Sequence, residues 1–143
     1  MKIALANRLA ILMLTLSFAW VACSRKKEAT SESRTWEAMD AYHLIMAESY
    51  HPLKDSANLA PARANAELLA AEADKWAAST FPDRVDYEGM RAQIESLRVN
   101  SRGFADQVKS GTADSELAAA LTALHDEYHH IMEAWEGGHE KHQ

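Results

Sequence analysis

From residue 35 onward, apolar residues recur at steps of three and four, the spacing of one helix face. The run Tyr87, Met90, Ile94, Leu97, Phe104 and Val108 is the cleanest case, with Ser101 filling the one polar step. No alternating strand pattern interrupts it. The 5 glycines and 3 prolines of the chain fall mostly at the breaks. They divide the sequence into four predicted helices. The first spans about Thr35–Tyr50 and stops at His51-Pro52, because proline disfavours helical geometry in the residue before it. The second runs from about Leu59 to Ser79, capped by Asn58, with Pro61 tolerated in its first turn. Phe81-Pro82-Asp83 breaks it. The third covers about Asp86–Ser110 and ends at Gly111. The fourth starts at Asp114-Ser115 and runs to about Glu136, where Gly137-Gly138 are expected to stop it. Short connections make neighbours antiparallel, so the expected fold is an all-α, up-down-up-down four-helix bundle over residues 35–137.

The ends follow a different pattern. Lys2 and Arg8 give a positive start, Leu9–Val21 is almost wholly apolar, and small Ala22 precedes Cys23. Residues 1–22 therefore read as a secretory signal, too short for a comfortable membrane span. The Val21-Ala22-Cys23 segment resembles the lipobox of bacterial lipoproteins, although Trp20 stands where that family usually has leucine. The resemblance implies acylation of Cys23, with Ser24 suiting sorting to the outer membrane. Residues 23–34 are polar and charged after the cysteine and read as a tether. The expected location is the bacterial cell envelope, lipid-anchored and periplasm-facing. Cys23 is the only cysteine, so no disulfide can form within the chain, even in an oxidising compartment.

All 21 acidic residues lie after Cys23, but only 13 of the 15 Lys and Arg do, since Lys2 and Arg8 precede it; the processed chain carries a formal charge of −8. That balance argues against nucleic acid, whose binding rests on cationic contacts.

One phrase is written almost twice. Ala38–Met46 (AMDAYHLIM) aligns without gaps on Leu124–Met132 (LHDEYHHIM), matching Asp40 with Asp126, Tyr42 with Tyr128, His43 with His129, Ile45 with Ile131 and Met46 with Met132. Met39 falls on His125. With each residue turning about 100°, His43 is expected at the centre of the first helix's apolar stripe. The expected stripe of the fourth helix is Leu117, Ala118, Leu121, His125, Tyr128, Met132 and Trp135, with His129 on its edge and His130 facing away. In an antiparallel pair, residues at one level have numbers summing to roughly 172. His43 then meets His129, Met46 meets His125, and Met39 meets Met132, a local pseudo-two-fold. The 7 histidines all fall within residues 43–51 or 125–142. Past Cys23, only Met90 among the methionines lies outside the cluster.

Imidazole suits Zn, Cu, Fe and Ni, and thioether sulfur favours Cu(I). His125 and His129, spaced i to i+4, put two donors on one helix face. His43 from the facing helix would add a third. Met46 is the best sulfur donor, with Met39, Met132 and His51 as further candidates and Asp40 and Asp126 placed to orient imidazoles. The blander alternative is a polar core network without metal. A carboxylate-bridged di-iron site is disfavoured, because Glu127 and His130 point outward and the inward faces of the second and third helices carry no acid. Covalent haem would need a Cys-x-x-Cys-His attachment, which is absent. Neither a nucleophile arrangement nor a phosphate-cradling glycine loop is apparent, so binding is expected and not catalysis.

The architecture resembles the cytochrome b562 and cytochrome c′ bundles, which are exported four-helix proteins. That resemblance implies a b-type haem held by Met39 or His43 with His129 or His125. It is one of architecture and ligand location, with no shared motif. The phrases from Tyr42 through Pro52, then Pro61–Arg63, and finally Leu124–Met132 also look like an uncharacterised group of exported bacterial bundles. Three expectations result. The foremost is copper or zinc binding between the first and fourth helices, for buffering, delivery or sensing. The second is a haem electron carrier. The third is a metal-free envelope adaptor or homodimer using Leu44 and Ile45 on the outer face.

Overall fold

The structure, a computed structural model, describes residues 36–140, with side chains through residue 137. The signal segment, Cys23 and the tether lie outside the described residues, as do His142 and the side chain of His139. Four helices are present: α1 Glu37–Ser56, α2 Ala60–Ala78, α3 Glu88–Ser110 and α4 Asp114–Glu140, with one 3-10 turn at Asp83–Val85. No strand occurs among the described residues. The four form a closed ring of neighbours, α1 on α2, α2 on α3, α3 on α4 and α4 on α1.

Paired contacts fix their directions. Trp36 at the start of α1 meets Trp76 at the end of α2, while Ser49 meets Asn65 in the first half of α2. On the α2/α3 face Arg98 reaches Asp74, and Arg102 reaches both Asp74 and Glu67. The Arg102 and Arg98 guanidinium groups hold the Asp74 carboxyl below the usual carboxylate range. Trp36 meets Trp135 and Tyr50 meets His125 along α1/α4. Asn100 bonds Glu127 across α3/α4. Successive helices are antiparallel.

Local chemistry explains most boundaries. The Asn58 side chain accepts the Ala60 N–H, opening α2 as expected. Gly111 takes φ 77°, a left-handed turn that closes α3. Two expected stops fail. α1 runs through Pro52 for a further turn, to Ser56. Pro52 cannot donate to the Glu48 carbonyl. Leu53, however, packs against the core, and Ala57 N–H and Asn58 N–H close the end on Leu53 and Pro52 carbonyls. α4 runs through Gly137-Gly138 to Glu140. A glycine lowers helix stability by about 1 kcal/mol, which a long packed helix can absorb.

The core is assembled from Trp36, Met39, Tyr42 and Met46 of α1, the small Ala62, Ala66, Ala70 and Ala73 of α2 with Leu69 and Trp76, and Met90, Ile94, Leu97 and Phe104 of α3. From α4 come Leu117, Leu121, Leu124, Tyr128, Ile131 and Trp135. This last set steps 4-3-4-3-4, so Leu124 and Ile131 point inward in place of the expected Ala118, His125 and Met132. Those three are only partly buried. The true apolar stripe of α4 is rotated from the expected one by a fraction of a turn, because the larger aliphatic side chains take the interior. Tyr87, expected on the α3 stripe, is 48% exposed and sits before the helix.

A polar pair lies inside. The hydroxyls of Tyr42 and Ser101, both 0% exposed, are hydrogen-bonded at 3.0 Å. Burial pushes the Tyr42 phenol well above its ordinary pKa, against the opposing pull of the Ser101 bond. Ser101→Ala strands the phenol without a partner and should cost about 1–3 kcal/mol. Adding Tyr42→Phe should recover part of that loss. Guanidinium unfolding of the two single variants and the double variant checks this; strictly additive losses contradict it.

Candidate metal centre

The repeated phrase faces itself across the α1/α4 seam, but through its tyrosines. Tyr42 and Tyr128 stack with ring centroids 5.9 Å apart and planes 27° apart, and both are buried. Each tyrosine occupies the inward position of its helix, so the histidine that follows it in the chain turns to the flank. His43 is therefore exposed, contrary to its expected central place in the apolar stripe. Its ring lies flat on Tyr128 at 5.0 Å and 11° and does not meet His129 in the core.

On α4 the expected i to i+4 pair is formed. Nε2 of His125 and Nε2 of His129 lie 3.1 Å apart in a hydrogen bond, with both rings partly buried. Tyr50 stacks on His125 at 3.8 Å and 17°. The other His125 nitrogen, Nδ1, is 3.5 Å from Asp126 Oδ1, a long contact on the side expected for an orienting carboxylate. Burial pulls the His125 pKa below its ordinary value, assisted by the charges of His129 and His51 and opposed by Asp126. The neutral form, the one that ligates metal, is favoured as a result. Tyr128 is pushed up to about 12 by burial and by Asp40 and Glu136.

The remaining candidates do not join this pair. Met39 and Met46 are 6% and 0% exposed within the apolar core, and Met132 packs half-buried against it. His51 is exposed on the turn after Tyr50. Asp40 is exposed too. Among the described residues, no three His, Cys, Asp or Glu side chains stand together as a ready metal-binding group. Tyr50 is a member of the site that the sequence does not single out, although the level rule pairs it with residue 122; a shift of three residues, under one turn, gives His125. Of the two residues expected on the outer face, Leu44 is 65% exposed, whereas Ile45 is half-buried against the core.

No family model matches the chain, and neither a curated protein nor a solved structure does. The bundle is thus defined by its own geometry: a four-helix all-α protein with an imidazole pair on the outer seam of α1 and α4. No described helix is long and apolar enough to cross a membrane.

Proposed function

We propose that this protein binds a transition metal ion, copper or zinc, through His125 and His129 on the α1/α4 seam, and buffers, delivers or senses it. The setting we propose is a lipoprotein anchored through Cys23 and facing the periplasm. The supporting observation is the 3.1 Å separation of the two Nε2 atoms. Two imidazole nitrogens at 2.0–2.1 Å from a tetrahedral ion lie about 3.3 Å apart. An ion can therefore replace the proton now shared by the pair with little backbone movement. Depression of the His125 pKa adds to this, since the ion meets less competition from protons.

A small ion is favoured over a porphyrin because rings already fill the seam. Trp36 on Trp135, Tyr42 on Tyr128 and Tyr50 on His125 occupy the gap a haem would need. The exposed Leu44 is the observation that favours the second reading, an envelope adaptor or homodimer.

Thermal unfolding with and without Zn2+ or Cu2+ tests the proposal. A ligand of the native state at a hundred times its Kd adds about 2.7 kcal/mol. For a bundle of this size that is a rise in Tm of roughly ten degrees or more. The His125→Ala/His129→Ala variant should show none. An unchanged Tm in the unmodified protein, at metal concentrations up to millimolar, sinks the proposal. A Soret band in the purified protein would replace the ion with haem.

A further inference from the structure

We infer that His51, and neither His43 nor a methionine sulfur, supplies the third donor, making the seam a three-imidazole centre for Zn2+ or Cu2+. This rests on the proposed metal binding by His125 and His129 and specifies its donor set. The stack of Tyr50 on His125 fixes which level of α1 faces the pair, and His51 is the next residue along the chain. His51 is exposed, so its ring is free to change rotamer. His43, on the same flank, already faces α4 through its stack on Tyr128. Residues 43, 47 and 51 form one row along the flank of α1. The middle member is Ala47, which presents only a methyl group between the two histidines.

The competing donors are engaged elsewhere. His43 would have to leave its face-to-face contact with Tyr128, at 5.0 Å and 11°. Met46 and Met39 would have to leave the apolar core. With Met39 and Met46 in the core and Met132 packed against it, the donors are imidazole and water. That set suits Zn2+ and Cu2+, whereas Cu+ favours soft sulfur ligands. Three protein donors leave a fourth position to solvent. A carrier needs such a position, because an incoming chelator or acceptor protein can enter there before the ion leaves.

The test uses the full chain in a His139→Ala/His142→Ala background, so that tail imidazoles do not contribute. Zn2+ affinity is measured by competition with a chromophoric chelator, and bound Cu2+ is examined for the number of coupled nitrogens by electron paramagnetic resonance. His51→Ala should weaken Zn2+ binding at least about tenfold, since loss of a mere orienting partner already costs 10–100-fold. The Cu2+ spectrum should fall from three coupled nitrogens to two. His43→Ala and Met46→Leu should stay within about twofold, the latter being a volume-conserving core change. Circular dichroism verifies that each variant is folded. If His51→Ala binds like its parent while His125→Ala/His129→Ala does not, the third donor is wrong and the proposed metal binding stands. Weakening by His43→Ala in place of His51→Ala also overturns the inference. If the double variant binds normally, the metal-binding proposal itself fails and this inference falls with it.

Discussion

Trp76→Ala should remove about 3–5 kcal/mol of stability. A domain of this size has about 5–15 kcal/mol in total, so this one change removes a large fraction of it. Trp76 is 0% exposed and touches Trp36 edge-on at 5.3 Å, Tyr42 at 5.7 Å and Tyr128 at 6.3 Å. It is the single large aromatic on α2, whose other inward residues are mostly alanines. Alanine neighbours have no length with which to fill the hole, so the cavity persists and its cost is felt in full. Trp76→Phe should cost much less. It keeps most of the ring and discards Nε1, a buried donor without an acceptor in this structure. Urea unfolding followed by far-UV circular dichroism measures both. A loss under about 1 kcal/mol for the alanine variant would contradict the packing described.

Metal affinity should fall steeply with acid, by roughly 10²-fold between pH 7 and pH 5. The sign follows from competition: the ion needs the neutral ring, and protonation of either histidine removes a donor. An imidazole of ordinary pKa, about 6.5, is about three-quarters neutral at pH 7 and about 3% neutral at pH 5. One such ring loses about 25-fold over that range, and each further imidazole donor adds to the loss. The depressed pKa of His125 makes the fall shallower than that. The metal-free bundle should respond in the same direction. A histidine whose folded pKa is lowered contributes stability that is present above its unfolded pKa and lost as pH drops towards the folded value. Isothermal titration with Zn2+ at pH 5, 6 and 7 reads the first effect. A pH-independent affinity would show that the seam histidines are not the donors.

Helix number, order and antiparallel pairing are legible in the sequence because apolar spacing is dictated by the core those residues share. Ile94, Leu97 and Phe104 could hardly point anywhere else. Two boundaries are not legible, since Pro52 and Gly137 oppose helix only locally and tertiary contacts decide whether they prevail. The site is legible in part. His125 and His129 lie on one helix, so their meeting follows from four-residue spacing alone. His43 and Met46 belong to a different helix, and their expected convergence needs the rotation of α1 to within about half a residue. Tyr42 decides that rotation. A large, mostly apolar ring gains more from burial than an imidazole does, so tyrosine turns inward and histidine outward.

Trp76 and Trp135 each lie within 5.4 Å of Trp36, and this crowding at one end of the bundle shapes what light can report about it. Only Trp20 lies outside this group, in the expected signal segment. In the processed protein, every indole emitter would then sit at the same end, beside Phe81 and under Arg84. Emission is consequently a gauge of that end alone. The opposite end, where Arg63 reaches Asp114, could loosen while the indole spectrum stays still. For this protein, a steady fluorescence signal would leave the integrity of that far end undecided.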